Sequence, residues 1–134
     1  PQVMLVDTSV WIDYFNGHRS AHADRLAAAI ADGEPIALPG LVITEILMGL
    51  RGDAEADNIL DLLDALGPGP EPTRADHVAA ARLYRLCRGK GVTIRSTIDC
   101  LIAQLCLRDG LALLTRDRDF TGIARCVPLR LVID

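Results

Sequence analysis

Short apolar runs that end in polar residues alternate along this chain with longer segments of helical periodicity. Residues 3–6 form such a run, and it leads directly into Asp7-Thr8-Ser9. A run this short, bounded by a polar break, predicts a strand buried on both faces. Residues 35–38 and 111–114 repeat the pattern, and residues 129–133 predict a last strand. Asp7 is then expected at the carboxyl end of a central strand, where open α/β sheets bind their ligands.

The longer segments between these strands have the apolar spacing of helices. They cover residues 8–15, 22–31, 41–50, 54–66, 73–88 and 97–108. Gly67-Pro68-Gly69-Pro70 stops the fourth helix, and we interpret it as a connector inside one domain, followed by a short edge strand around Glu71-Pro72. Strands that alternate with helices predict an α/β protein with a parallel sheet covered on both faces.

Two of these segments give more specific expectations about burial. In the helix over residues 73–88, Thr73 is a suitable N-cap. The side chains expected to face inward are Ala75, Val78, Ala79, Leu83 and Leu86. In the first helix, Trp11 is expected in the core rather than as a platform for stacking a base.

The composition predicts a single domain over residues 1–134 with an aliphatic core, because half of the residues are hydrophobic and few are aromatic. No apolar run reaches the roughly 18–20 residues that a membrane span needs. No basic segment precedes the first apolar run, so a signal peptide is not expected, and Pro1 in place of Met suggests a trimmed or engineered end. We therefore expect a cytoplasmic protein.

The four cysteines are Cys87, Cys100, Cys106 and Cys126, and they contain no C-x-x-C pair. This spacing argues against a zinc site. We expect reduced, buried thiols that pack as small hydrophobes, with disulfides or metal ligation as the alternatives.

Charge is distributed unevenly along the chain. The net charge is −4 overall, −8 over residues 1–70 and +4 over residues 71–134, and thirteen of the fourteen basic residues are Arg. Arg suits bidentate contact with phosphate, which favours a nucleic-acid partner for the second half. A genomic bias toward Ala, Gly and Arg codons explains the same residues equally well.

Four acids occupy comparable places in the predicted fold: Asp7, Glu45, Asp99 and Asp117. Asp7 and Asp117 each follow a predicted strand, and the carboxyl ends of parallel strands share one edge of a sheet. Glu45 lies in an almost wholly apolar helix, so we expect it to be partly buried and to need a metal ion or a distant Arg as partner. The four acids are therefore predicted to converge.

Each acid also has a structural explanation. Asp7, with Thr8 and Ser9, fits a helix N-cap. Ser96-Thr97-Ile98-Asp99 fits a capping box, and Arg95 is a further partner for Asp99. Asp117 and Asp119 lie in a polar segment whose charges neutralise one another. Gathered carboxylates repel one another, and a divalent Mg²⁺ or Mn²⁺ ion reverses that repulsion. Such a site suits hydrolysis of a phosphodiester.

Other function classes have less support in the sequence. The chain has no G-x-x-x-x-G-K-[ST] or G-x-G-x-x-G loop for nucleotides. A phospho-acceptor receiver domain needs paired acids after the first strand and a Lys near the last one, whereas Lys90 is the only Lys. A phosphatase with an Asp nucleophile needs D-x-D where this chain has Asp7-Thr8-Ser9. A binding module without catalytic activity is a further alternative. The sequence argues against it only because all four acids are present.

Four segments together resemble the PIN-domain ribonucleases, specifically the VapC toxins of bacterial toxin–antitoxin pairs. They are residues 5–12, 44–49, 95–103 and 114–120, in that order. The resemblance implies a three-layer α/β/α sandwich with a central, mainly parallel sheet. It also implies an endoribonuclease that depends on Mg²⁺ or Mn²⁺, a homodimer, and a cognate VapB antitoxin that inhibits by threading into the active-site groove.

The resemblance also assigns roles to residues of this chain. The acidic quartet that holds metal is Asp7, Glu45, Asp99 and Asp117, with Glu45 either a ligand or the residue that orients the attacking water. Thr8, Ser9 and Thr115 match the hydroxyls beside the first and last acids, and Asp119 belongs to the same D-x-D-F element as Asp117.

Basic and apolar residues complete the expected site. The candidates to hold RNA phosphates are Arg95, Arg116 and Arg118, and further candidates, unless they only solvate a helix face, are Arg82, Arg85 and Arg88. The apolar helices over residues 41–50 and 54–66 are expected to form a groove for an antitoxin helix, or else to serve as core and dimer surface. The RNA that is cut, the number and identity of the metal ions and the dimer face stay open.

Overall fold

Three short strands form the parallel sheet in the computed structural model, which describes residues 2–133 of the chain. They are β1 (Met4–Val6), β2 (Ile36–Ala37) and β3 (Ala112–Leu114), and β1 lies between the other two. Leu5 of β1 is in register with Ala37 on one side and Leu113 on the other. The strands are buried because they are apolar on both faces. The predicted parallel sheet is confirmed.

Seven helices surround this sheet in the described part of the chain. They are α1 (Thr8–Phe15), α2 (Ala21–Ala31), α3 (Gly40–Met48), α4 (Asp53–Asp64), α5 (Arg74–Gly89), α6 (Thr97–Asp109) and α7 (Asp119–Cys126). The first six start and end within two residues of the predicted helices. α1 packs against α2 and α3, while α5, α6 and α7 pack against one another. This arrangement agrees with the expected three-layer α/β/α sandwich.

Two predicted strands are wrong. Residues 129–133 form no strand; Leu131 makes a single parallel bridge to Leu113, in which Leu113 donates its N–H to the carbonyl of Arg130 and accepts the N–H of Val132. Residues 71–72 form no edge strand either. The carboxylate of Glu71 instead accepts the backbone N–H of Gly40 at 2.8 and 2.9 Å, so this segment caps the start of α3.

α7 is not among the predicted helices, and the sequence pattern places only its first residue, Asp119, in a polar segment. Its apolar anchors, Phe120 and Ile123, are fully buried against the core. Thr121 and Gly122 between these anchors, and the charged Asp119 and Arg125 on either side of them, weaken the apolar periodicity. This is why the sequence pattern does not reveal the helix. α7 packs on α5 and α6 and so carries Asp119 toward the end of the sheet.

The buried face of α5 differs from the predicted one. The buried positions are Asp76, Ala80, Leu83 and Cys87. Val78 and Leu86, which were expected to face inward, are 45% and 46% exposed. Asp76 can be buried at the start of this face of α5 because its carboxylate accepts hydrogen bonds from Gln104 and Arg108 of α6. The predicted cap is confirmed: Thr73 and Asp76 form a reciprocal capping box.

α3 is less buried than its composition predicts. Only Val42 and Ile46 are fully covered, and Met48 is 78% exposed. The expected burial of Trp11 is confirmed, since its side chain is fully enclosed.

The cysteines are free thiols, as expected, and three of them, Cys87, Cys100 and Cys106, are buried. Burial raises the pKa of the Cys106 thiol to about 12. Among the described residues, no helix combines the length and the apolar character needed to cross a membrane.

Candidate active site

Acidic side chains from five elements or loops surround the carboxyl end of the sheet. Asp7 directly follows β1, Asp117 lies three residues after β3, Glu45 is on α3, Asp99 is in the first turn of α6, and Asp119 begins α7. Oxygens of Asp99, Asp117 and Asp119 all lie within 4.8 Å of one another. Asp7 and Glu45 are close enough to act electrostatically on Asp99. The structure therefore groups Asp99 and Asp117 with Asp119, the further candidate of the D-x-D-F element, and places Asp7 and Glu45 near them.

The sheet register explains why the first and last acids meet. Val6 at the end of β1 is paired with Leu114 at the end of β3. The backbone N–H of Asp7 continues this pairing by donating to the carbonyl of Leu114 at 2.9 Å. Asp7 and Thr115 are thereby placed side by side, and both are buried.

Hydroxyl groups link the two strand-end loops. The Oδ2 atom of Asp7 accepts hydrogen bonds from Ser9 Oγ at 2.8 Å and from Thr115 Oγ1 at 3.0 Å. Thr115 Oγ1 in turn accepts the backbone N–H of Asp117 at 3.0 Å. Asp7 occupies the N-cap position of α1, but its side chain makes no capping hydrogen bond. Its carboxylate is therefore not explained by helix capping.

Glu45 finds its partner on α1. Thr8 Oγ1 donates to Glu45 Oε1 at 2.8 Å, which ties α3 to the start of α1. The expectation of a partly buried carboxylate is met. Its protein partner is a hydroxyl and not an Arg, so the negative charge of Glu45 is not neutralised by this contact.

Asp99 has the most perturbed carboxyl in the cluster. The capping box considered for it is absent, because Ser96 makes no side-chain cap to α6. The side chain is nearly buried, and this burial, together with repulsion from Asp117, Asp7, Asp119 and Glu45, raises the pKa of Asp99 to about 7. Burial and repulsion therefore disfavour the carboxylate form of Asp99 unless a cation binds beside it.

The arginines near the acids are held by ion pairs that the sequence does not reveal. Arg95 pairs with Asp119, its Nη2 lying 2.8 Å from Oδ1 and its Nε 3.2 Å from Oδ2, and not with Asp99 as considered. Arg116 Nε lies 2.6 Å from Oδ2 of the buried Asp13. Both guanidinium groups are at least half exposed, so donors remain available to a ligand.

Sequence reasoning missed Asp13 and the cavity beside it. Asp13 lies in an apolar helix, as Glu45 does, and that same signal would have found it. Arg116 and Arg118 line a cavity of about 430 Å³ together with Asp117, His22 and Arg125. His22 and Arg125 come from α2 and α7, and no sequence pattern connects them.

The donor set is suited to a hard divalent cation. Its atoms are carboxylate oxygens, which Mg²⁺ and Mn²⁺ prefer, and no His or Cys belongs to the described cluster. Three carboxylates approach one another closely here, and Arg95 is the one cationic side chain bonded to them among the described residues. This arrangement is suited to a bound cation. The residues present therefore accommodate the metal that the sequence resemblance implies.

Comparison with known proteins gives one family and several relatives. A family model described as the PIN domain matches residues 4–125. The chain is 38% identical, over 135 residues and 96% of both chains, to the VapC ribonuclease Mb1587 of Mycobacterium bovis. Ribonuclease VapC11 of Mycobacterium tuberculosis gives the same values.

Solved structures show the same fold at lower sequence identity. VapBC2 from Rickettsia felis, bound to a DNA fragment from its promoter, is similar with a TM-score of 0.75 at 18% identity, over 96% of each chain. FitAcB from Neisseria gonorrhoeae is similar with a TM-score of 0.73 at 16% identity, over 96% of this chain and 95% of the other.

Proposed function

This chain belongs to the PIN-domain family and, within it, to the VapC ribonucleases, and from this premise we propose that it is a metal-dependent endoribonuclease, the toxin of a toxin–antitoxin pair. The observation that carries the proposal is the approach of Asp99, Asp117 and Asp119 to within 4.8 Å of one another. Such a cluster is costly without a cation and is suited to one.

In this proposal Asp7, Asp99 and Asp117 hold the metal, and Glu45 either binds it or orients the attacking water. Asp119 shares the cluster and links it to Arg95. When bound, Mg²⁺ or Mn²⁺ supplies Lewis-acid activation and offsets the charge that develops on the phosphodiester.

The hydroxyls beside these acids are proposed to position them. Ser9 and Thr115 both donate to one oxygen of Asp7, and Thr8 donates to one oxygen of Glu45. Each bond restricts the rotation of a carboxylate whose other oxygen makes no side-chain hydrogen bond in the described structure. A site held in this way loses less side-chain entropy when it binds a cation.

Arginines around the cluster are proposed to hold the RNA phosphates. Arg118 is exposed and forms no ion pair within residues 2–133. Arg95 and Arg116 are oriented by Asp119 and Asp13 and keep further N–H donors free. These guanidinium groups would draw the negatively charged backbone toward an acidic site that would otherwise repel it.

The decisive test is cleavage of mixed cellular RNA by the purified protein, freed of any antitoxin, with Mg²⁺, with Mn²⁺ and with EDTA. We expect cleavage that requires metal and is lost in Asp7→Asn and Asp99→Asn. Asp61→Asn, an exposed acid on α4, is the matched control and is expected to cleave normally. Unchanged rates in both site variants would refute the assignment and leave a binding module.

Metal binding has a readout that does not depend on RNA. Mn²⁺ is expected to raise the melting temperature of the wild-type protein, because a ligand that binds only the folded state stabilises it. The increase should be absent in Asp99→Asn and present in Asp61→Asn. In EDTA, Asp99→Asn should melt at a higher temperature than the wild type, since one repelling charge is removed.

We also propose a VapB-type antitoxin as partner and a homodimer as the assembly, acting in the cytoplasm. Support for a protein partner comes from α3, where Met48 is 78% exposed and Ile43 and Leu47 are half-buried. Co-expression with the neighbouring upstream reading frame should relieve growth arrest caused by the chain. Growth arrest that persists would count against this partner.

A further inference from the structure

A groove of about 570 Å³ lies between α5 and the start of α6. None of the acids lines it, but two residues of its wall adjoin them. Arg95 lines the groove and pairs with Asp119 at 2.8 Å, and Cys100 lines it directly after Asp99. A chain that passes over the acids could therefore continue into this groove.

The wall of the groove combines an aromatic ring with basic side chains. Tyr84 lines it half-buried, and Arg88, which is outside the groove lining, holds the ring with its guanidinium 5.5 Å from the centroid. Arg85 and Arg95 line the groove from α5 and from the segment before α6. No Asp or Glu is among the described residues that line it. This wall is complementary to an anionic ligand that carries a flat ring.

The remaining wall is apolar at its base and polar at its edge. Ile94 and Leu101 are buried beneath it, and Ser96 and Thr97 contribute hydroxyl groups near the start of α6. Proteins that bind single-stranded nucleic acid combine these features: an aromatic platform for the base and a basic track for the backbone. The aromatic ring beside the arginines favours a nucleotide over an acidic peptide, for which the arginines alone would suffice.

We infer that this groove is a nucleotide subsite, in which Tyr84 stacks on a base next to the scissile phosphate and Arg85 and Arg95 hold the adjoining phosphates. The inference rests on the proposed ribonuclease function and extends it, because it adds a specificity element that the metal-binding acids do not supply.

The test compares two substrates. An abasic oligoribonucleotide presents phosphodiesters without bases to stack, and a fluorescent, single-stranded oligoribonucleotide of the same length presents both. Tyr84→Ala should leave hydrolysis of the abasic strand unchanged and weaken binding of the strand with bases, measured by anisotropy in EDTA, about tenfold. Tyr84→Phe should bind as the wild type does, because stacking requires the ring and not the hydroxyl.

A second variant keeps the test valid if Tyr84→Ala fails to fold. Arg85→Ala alters an exposed side chain and should weaken oligonucleotide binding with a shallower salt dependence. Arg74→Ala, an exposed arginine on the same helix but outside the groove, is the matched control and should change neither quantity.

The outcomes separate this inference from the ribonuclease proposal. Oligonucleotide binding that is unchanged in both Tyr84→Ala and Arg85→Ala overturns the subsite. If the wild type cleaves neither substrate, the ribonuclease proposal fails, and binding by Tyr84→Ala and Tyr84→Phe still decides the subsite. If Tyr84→Ala loses association with a co-expressed partner and keeps RNA binding, the groove is a protein site and the inference is wrong.

Discussion

Thr115 is the side chain through which the two strand-end loops are joined. Its hydroxyl donates to Asp7 and accepts the backbone N–H of Asp117, so one buried oxygen positions two acids from opposite ends of the chain. The hydroxyls of Ser9 and Thr8 make comparable bonds to Asp7 and Glu45. The geometry of the site therefore depends on neutral side chains as much as on the charged ones.

Replacing Thr115 by Val should lower cleavage activity without unfolding the protein. The change keeps the shape but removes both hydrogen bonds, each worth about 1 kcal/mol, and leaves the N–H of Asp117 unpaired. We expect kcat to fall about tenfold, since that corresponds to about 1.4 kcal/mol of barrier. The measurement is RNA cleavage at saturating Mn²⁺, with Thr115→Ser as the control that retains the hydroxyl and most of the activity. An unaltered kcat in Thr115→Val would show that the hydroxyl does not position the acids.

The pairing of α5 with α6 depends on a carboxylate in the place of an apolar residue. Asp76 accepts the N–H of Thr73, the amide of Gln104 and the guanidinium of Arg108. Arg108 also donates to the carbonyl of Glu71, whose carboxylate caps α3. One network thus connects α5 and α6 with the helix that carries Glu45.

This network gives the stability of the fold a specific dependence on pH. The Thr73 backbone bond, together with the other donors, lowers the pKa of Asp76 from 3.8 to about 2. A carboxyl whose pKa is lower in the folded state stabilises that state at pH values above its pKa in the unfolded chain. For Asp76 this contribution is lost as the pH falls from about 4 to about 2. We expect Asp76→Asn to melt lower than the wild type at pH 7, and the difference to shrink over that range. The measurement is a series of thermal melts by circular dichroism, and a difference that is independent of pH would contradict it.

The connector between α4 and α5 is fixed by close packing. A Cβ atom on Gly69 would lie 2.1 Å from the backbone carbonyl of Leu38, directly after β2, and backbone atoms cannot turn aside as a flexible side chain can. Gly69→Ala should therefore reduce the free energy of unfolding by about 3 kcal/mol, as overpacking in a close-packed region does. Gly52→Ala, with no neighbouring atom within 4 Å, is the control for urea denaturation and should change it little. Equal midpoints for the two variants would show that the connector can move.

Features of this fold that are encoded within a few consecutive residues can be predicted from the sequence, and features that depend on tertiary contacts cannot. β1 and α1 are predicted correctly because a continuous apolar run and a helical spacing lie within a few residues. The acids are found because a strand end places Asp7 and Asp117 on one edge. α7 and the buried face of α5 are not found, since the first has few apolar anchors and the second begins at an ion-paired Asp76. Partners such as Asp13 for Arg116 are set by the tertiary fold alone.

The charge of the whole molecule determines how strongly RNA binding should depend on salt. The chain is acidic overall, with its positive charge concentrated after residue 70, so only a few basic groups near the site are available to displace counterions. Each phosphate contact to a single strand contributes about −0.7 to the slope of log K against log salt. Contacts from Arg95, Arg116 and Arg118 predict a slope of about −2, and of about −3 when Arg85 of the groove also holds a phosphate. The slope is measured by anisotropy between low and physiological salt in EDTA. Arg118→Gln should reduce the magnitude of the slope by about 0.7, whereas Arg19→Gln, an exposed arginine paired with Asp24 in the acidic half, should leave it unchanged. A slope near zero, or one that Arg19→Gln reduces equally, would mean that these three arginines do not hold the RNA backbone.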